Sequence, residues 1–173
     1  TVAGGKLTAF RAMASHLVDE IFPATKGPQH VAASIAPLPG AVGVVPTPES
    51  NRTLAEETGV SPAFVALLAD RYGSALAQVA AEVRSVADDD PQARWRRAQA
   101  RYAVKAEMAV RLLDVVHRRT DLMLFTRGNG RPYLEALAAE MGAMLGWSEE
   151  RQLEEIAACR AEARKMFAWQ QEH

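Results

Sequence analysis

The chain has 173 residues, 49% of them hydrophobic and 24% charged, which is enough apolar material for a real core and rules out extended disorder. Twenty Lys and Arg nearly balance twenty-one Asp and Glu, so the formal net charge of −1 gives no electrostatic reason to expect nucleic acid or a membrane surface as a global partner. The single cysteine, Cys159, cannot close an internal disulfide, and no apolar run approaches the roughly 18 residues of a membrane span, so a cytoplasmic protein is expected.

In chain order, residues 1–22 combine a short apolar lead that reads as a strand end, a glycine pair and an amphipathic helix. Leu7, Phe10, Ala14, Leu17, Val18 and Ile21 share one face of that helix, and Pro23 stops it. Gly4 and Gly5 permit a sharp turn into the helix, whose free amides then point back beyond the turn, with Lys6 beside them. Such an end favours an anion or an electron-rich oxygen. Residues 23–48 hold six prolines and three glycines, among them Gly27, Pro28, Pro37 and Gly43, and cannot form a continuous helix; they are predicted to connect two parts of the chain. His30, in this stretch, is expected to be solvated.

Residues 49–173 are predicted to form a helical domain. A short helix over residues 51–58 closes at Gly59. The next has Ser61 as N-cap, Pro62 in its first turn and Gly73 as C-cap. A third buries Leu76, Val79, Ala80, Val83 and Val86. Asp88, Asp89 and Asp90 ahead of Pro91 read as a solvated turn. The dominant prediction is one long central helix over residues 94–120, free of Pro and Gly. Tyr102, Ala106, Ala109, Leu113 and Val116 form one apolar stripe on it, and Val104, Met108, Leu112 and Val115 a second. Glu107 and Arg111, then Asp114 and Arg118, stand four apart as ion pairs. Its N-terminal half carries Arg94, Arg97, Arg101 and Lys105 as a basic, solvated stripe. Beyond it, Leu122, Leu124 and Phe125 are predicted to lie over the core. A helix with Leu134, Leu137, Met141, Met144 and Leu145 inward then closes at Gly146, and Ser148 begins the last helix. The fold class expected is therefore all-α, a bundle of about six to seven helices preceded by the strand-end, Gly-turn and helix segment.

No nucleophile, base and orienter set can be assembled from these residues. His16, His30, His117 and His173 are scattered, and no metal site is expected.

Several stretches carry a resemblance. Tyr102 to Thr120, with Glu107, Asp114, Arg118, Arg119 and Thr120, resembles the helical C-terminal domain of FAD-dependent, aerobic-type glycerol-3-phosphate dehydrogenase. So do Gly4-Gly5-Lys6-Leu7-Thr8 with Ala9, Phe10 and Arg11, Leu38 to Ala41, Asp70 to Gly73, and Leu145 to Trp147. Gln99 stands where the family commonly has Glu, and Ala9 and Phe10 where it has Thr and Tyr. The resemblance implies residues 1–22 as the end of a flavin-binding domain, 23–48 as connector and 49–173 as the C-terminal domain. It implies FAD contacts at Gly5, Lys6, Leu7 and Thr8, and a substrate contact at Lys6 to either the phosphate or the developing alkoxide.

The function so implied, for the parent enzyme, is oxidation of sn-glycerol 3-phosphate to dihydroxyacetone phosphate with electrons passed to quinone, the isolated chain being inactive. Implied partners are the N-terminal flavin domain, glycerol 3-phosphate and quinone. A homo-oligomer and a peripheral position at the inner face of the cell membrane stay open. The alternative is an autonomous helical interaction module that binds an anionic partner through the basic stripe.

Overall fold

The computed structural model describes residues 5–23 and 36–168. The expectations placed on residues 1–4, on Gly27, Pro28 and His30, and on His173 lie outside them. The chain divides into two units, Thr1–Val42 and Gly43–His173. Every regular element among the described residues is helical.

In the first unit a 3₁₀ turn, Leu7–Ala9, leads into α1, Phe10–Ile21. The amide of Ala9 donates to the carbonyl of Lys6 at 2.9 Å, and Phe22, ahead of Pro23, ends the helix with its amide on Val18. No residue of α1 is buried; Phe10, Leu17 and Ile21 of the predicted apolar face are exposed. Farther on, Leu38 to Ala41 close a β-turn, with the Ala41 amide on the Leu38 carbonyl at 3.0 Å and Gly40 at φ 88° where an L side chain would be strained.

The second unit begins with α2, Pro48–Thr58, three residues earlier than predicted. Thr47 and Ser50 form a reciprocal capping box there, and Pro48 supplies the first turn. Helix α3, Pro62–Tyr72, has Ser61 capping the Phe64 amide and ends at Gly73, as expected from the sequence. A 3₁₀ turn leads to α4, Leu76–Val83, which buries Leu76, Val79, Ala80 and Val83; Val86, expected on the same helix, is buried just beyond its end. Asp90 is not merely a solvated turn residue: it caps α5, Pro91–Ala106, by accepting from the Gln92 amide at 2.9 Å.

Here the structure departs most from expectation. The predicted long helix ends at Ala106, Met108 takes a left-handed conformation at φ 57°, and helical structure resumes as a π-helical turn, Asp114–Arg119. The Asp114 carboxylate accepts from the Val110 and Arg111 amides, at 3.1 and 3.0 Å, and the buried Glu155 carboxylate accepts from the Leu112 amide at 3.0 Å. These bonds satisfy the free amides at the new helix start, which lets the chain leave the α-helix without orphaned donors. In consequence Met108 is exposed rather than inward, and Arg111 pairs with Glu155 at 3.2 Å rather than with Glu107. The Asp114–Arg118 pair is present at 2.8 Å.

The short α6, Leu122–Phe125, buries Leu122 and Met123 and leaves Leu124 and Phe125 exposed, opposite to what was expected for the last two. A four-residue helix turns only one side to the core. Helix α7, Leu134–Leu145, ends at Gly146 (φ 70°), and α8, Glu149–Met166, starts from Ser148, which caps Arg151.

Two apolar clusters result. One gathers Val65, Leu68, Tyr72, Val79, Val83 and Trp95 from α2 to α5; the other gathers Leu112, Val115, Met123, Leu137, Met141 and Ile156 from α5 onward. Helix α5 belongs to both, through Trp95 and Ala98 on one side and Ala100 and Ala103 on the other. It packs against α4 and α7, and α7 packs against α8. Alanines at these positions let helices approach closely on two sides. Between the clusters, the fully buried Gln99 donates to the Tyr72 hydroxyl at 3.0 Å and accepts from Arg96 at 3.2 Å, which satisfies both ends of its amide.

Candidate functional site

The expected ligand contacts, Gly5, Lys6, Leu7 and Thr8, are consecutive residues at the entry to α1. Gly5 sits at φ 92°, a conformation open to glycine, and a Cβ there would come within 2.7 Å of the Met13 sulfur. Lys6 and Thr8 are exposed. The 3₁₀ turn Leu7–Ala9 stacks directly on the helix, and no side chain caps the start of α1. An uncapped helix start of this kind offers backbone donors and a positive field of about half a charge to an electron-rich oxygen, and Lys6 adds a full charge beside it.

The basic stripe is not solvated. Arg97 and Arg101 both reach the buried Glu140 on α7, each at 2.7 Å; Arg101 and Lys105 also bind Glu82 on α4, at 2.9 and 2.7 Å. Arg94 donates to the Thr58 carbonyl at 3.1 Å. These cations tie α5 to its neighbours, and charge already neutralised is poorly placed to recruit an anionic partner. Burial alone would raise the Glu82 carboxyl, but the hydrogen bonds from Lys105 and Arg101 outweigh it and hold it below the usual carboxylate range.

A second polar cluster surrounds the break after α5. Arg71 lies 3.3 Å from Asp121 and donates to the Arg119 carbonyl at 3.3 Å; Arg119 donates to the Glu107 carbonyl at 3.1 Å. Arg96, packed over the Phe64 ring at 5.1 Å, approaches Asp121 at 3.7 Å. Burial pushes the Glu107 carboxyl up, against the opposing pull of Arg119 and Arg71, and burial pulls the Arg96 guanidinium down. Periodicity points away from this cluster because it places Glu107 in mid-helix. The family resemblance of the run from Glu107 to Thr120, with that of Asp70 to Gly73 around Arg71, is the sequence signal for it.

His16 is exposed and His117 half-buried, and no group of three or more metal-ligating side chains occurs among the described residues. No helix among them is long and apolar enough to cross a membrane. Cys159 is buried, and burial pushes its thiol up to about 12, far from a reactive thiolate.

Comparison with known proteins agrees with this architecture. Residues 32–152 match the family model for the C-terminal domain of alpha-glycerophosphate oxidase. The chain is 32% identical over 169 residues to a glycerol-3-phosphate dehydrogenase of Mycobacterium leprae, covering 92% of this chain and 28% of the relative. It is 28% identical over 163 residues to the aerobic glycerol-3-phosphate dehydrogenase of Bacillus subtilis, covering 87% of this chain and 29% of that protein. It is also 27% identical over 159 residues to an alpha-glycerophosphate oxidase of Streptococcus pneumoniae, covering 87% and 26%. The chain thus spans between a quarter and a third of the length of these relatives. No solved structure matches it significantly. With the family model covering 121 of its 173 residues (32 through 152), the chain belongs to the family of the C-terminal domain of alpha-glycerophosphate oxidase.

Proposed function

We propose that this chain is the C-terminal part of a FAD-dependent glycerol-3-phosphate dehydrogenase, whose parent polypeptide oxidises sn-glycerol 3-phosphate to dihydroxyacetone phosphate. The observation that carries this reading is the family match over residues 32–152, together with relatives named as glycerol-3-phosphate dehydrogenases that align over most of the chain. In this reading residues 1–22 close the flavin domain, residues 23–48 connect, and residues 49–173 form the helical domain.

The residues at the entry to α1 fit the flavin. Gly5 at φ 92° lets the chain turn into the helix with Met13 packed against it, and no side chain caps the start of α1, so main-chain amides there suit the oxygen-rich edge of an isoalloxazine ring. Gly5, Lys6, Leu7 and Thr8 would hold that edge through main-chain donors, which need no particular side chain. The bound FAD supplies the hydride acceptor. Lys6 acts as a fixed positive charge for the substrate, at its phosphate or at the alkoxide that develops as the carbinol is oxidised. The acceptor beyond flavin is quinone in this reading. Since the same domain matches a relative named as an oxidase, comparing quinone with dioxygen as acceptor in the parent distinguishes the two uses.

Lys6→Ala in the flavin-loaded parent is expected to lower turnover by about 10²- to 10³-fold, the scale for losing one preorganised electrostatic contact, with an unchanged circular-dichroism spectrum. Near-normal turnover in a dye-reduction assay would remove Lys6 from the site. The 173-residue chain alone, given substrate and dye, is expected to show no rate above background.

A further inference from the structure

The exposed apolar side chains of the second unit include Leu67, Met108 and Phe125, at 64%, 85% and 81%, as well as Val44, Val110 and Leu153; the first three border one polar network. Hydrogen bonds and ion pairs link them. Leu67 lies one helical turn before Arg71 on α3, and Phe125, whose amide donates to the Asp121 carbonyl at 2.8 Å, lies one turn after Asp121. The Arg71–Asp121 pair at 3.3 Å joins the two. From Arg71 the path runs through the Arg119 carbonyl, and through the Arg119 guanidinium to the Glu107 carbonyl, next to Met108.

The Met108 end is held, not frayed. Its left-handed backbone is fixed by the Ala109 amide on the Ala103 carbonyl at 3.0 Å, beside the helix start that Asp114 and Glu155 cap. A non-glycine residue in that conformation is strained, and here it displays an apolar side chain to solvent. Exposed Phe and Met around arginine have the composition of an interface core.

Charge indicates what covers it. Asp121 is shared by Arg71 and Arg96 at 3.3 and 3.7 Å, both longer than a good charge-assisted bond, and Glu107 lies 3.9 Å from Arg119. Three guanidinium groups therefore face two carboxylates, and the cluster is one negative charge short. The family relatives carry this domain on a polypeptide about three to four times its length, since it accounts for 26–29% of them.

We propose that the face carrying Leu67, Arg71, Asp121 and Phe125, continued through Arg119 to Met108, is the seat of the flavin-bearing part of the parent polypeptide, which brings an apolar contact and a carboxylate to Arg71. This rests on the function proposed above.

The test is hydrogen–deuterium exchange by mass spectrometry on the flavin-loaded parent and on the 173-residue chain, side by side. Amides of residues 108–111 and 124–127 are expected to exchange at least tenfold more slowly in the parent. Phe125→Asp and Arg71→Glu should each return that segment's exchange to the rate of the 173-residue chain. Leu153→Asp, on an exposed side chain of α8, should not. Equal exchange in parent and chain overturns the proposal. So does protection already present in the 173-residue chain and lost on dilution, which would make a second copy the occupant. Dye reduction with glycerol 3-phosphate on the same parent preparation keeps the two ideas apart: protection without activity sinks the function and leaves the seat, and activity without protection does the reverse.

Discussion

The two halves of the predicted 94–120 helix are alike in freedom from Pro and Gly and in helical spacing, the first basic and the second rich in Leu and Val, yet only the first is an α-helix. Residues 91–106 are held from both sides by partners that reward helical geometry: apolar clusters on two faces, and Glu82 and Glu140 for the cations between them. Residues 107–120 are held by partners that reward a break. Glu155, with its side chain 0% exposed, takes a free amide and two arginines, Arg111 at 3.2 Å and Arg151 at 2.5 Å. Helical propensity differs among such residues by tenths of a kcal/mol, whereas an unpaired buried charge or donor costs several-fold more. Satisfying Glu155 and the amides it faces therefore outweighs propensity and sets the backbone.

The sharpest way to break that contrast is to remove its anchor. Glu155→Ala strips the buried acceptor from Leu112, Arg111 and Arg151; the two arginines are about half exposed and turn to water, so the orphaned Leu112 amide sets the cost, about 1–3 kcal/mol in urea unfolding. A cost under about 1 kcal/mol would mean that the break stands without it. Asp114→Ala removes the acceptor for the Val110 and Arg111 amides and should cost about 1 kcal/mol, the scale of a helix cap. Met108→Gly should stabilise by up to about 1 kcal/mol, because relief of the left-handed backbone exceeds the entropy lost with glycine and little packing is forfeited at so exposed a side chain. Destabilisation by the same change would show that Met108 is not strained.

The smallest effects have opposite pH signs in the two halves. Glu82 has its folded carboxyl below the unfolded value of about 4.3, so its contribution is present above that value and fades as pH falls through the folded one. Glu107 has its folded carboxyl raised by burial, so it favours the fold below the unfolded value and loses that contribution as pH rises through the folded one. Hence Glu82→Gln should destabilise at pH 7 and fade toward neutral in acid, while Glu107→Gln should be neutral or mildly stabilising at pH 7. Thermal melts across that range check both.

Much of the fold was legible because its signals are local. Ser61, Pro62 and Gly73 bracket α3, Ser148 and Gly146 punctuate the C-terminal helices, and the inward residues of α4 follow from spacing alone. The break was not legible, since its cause lies 43 residues away in Glu155 and no window of local sequence contains both partners. The same blindness hid the exposed face: periodicity assigned Met108 and Phe125 to the core, and a helix break and a four-residue helix turned them outward. The flavin contacts proposed at Gly5 to Thr8 rest on resemblance alone, because a Gly-Gly-Lys turn is common in structures with no ligand. The basic stripe was seen correctly as a stripe, but its partners sit on α4 and α7, where spacing along α5 cannot point.

The lone cysteine gives the molecule a built-in gauge. With burial pushing its thiol up to about 12, Cys159 is held protonated at pH 7 while the core is closed. Once α8 peels away, the ordinary thiol value of about 8.5 returns and the reactive thiolate fraction rises. The rate of alkylation by a thiol-selective reagent would then track the population of the opened C-terminal core, with no label added and no residue changed.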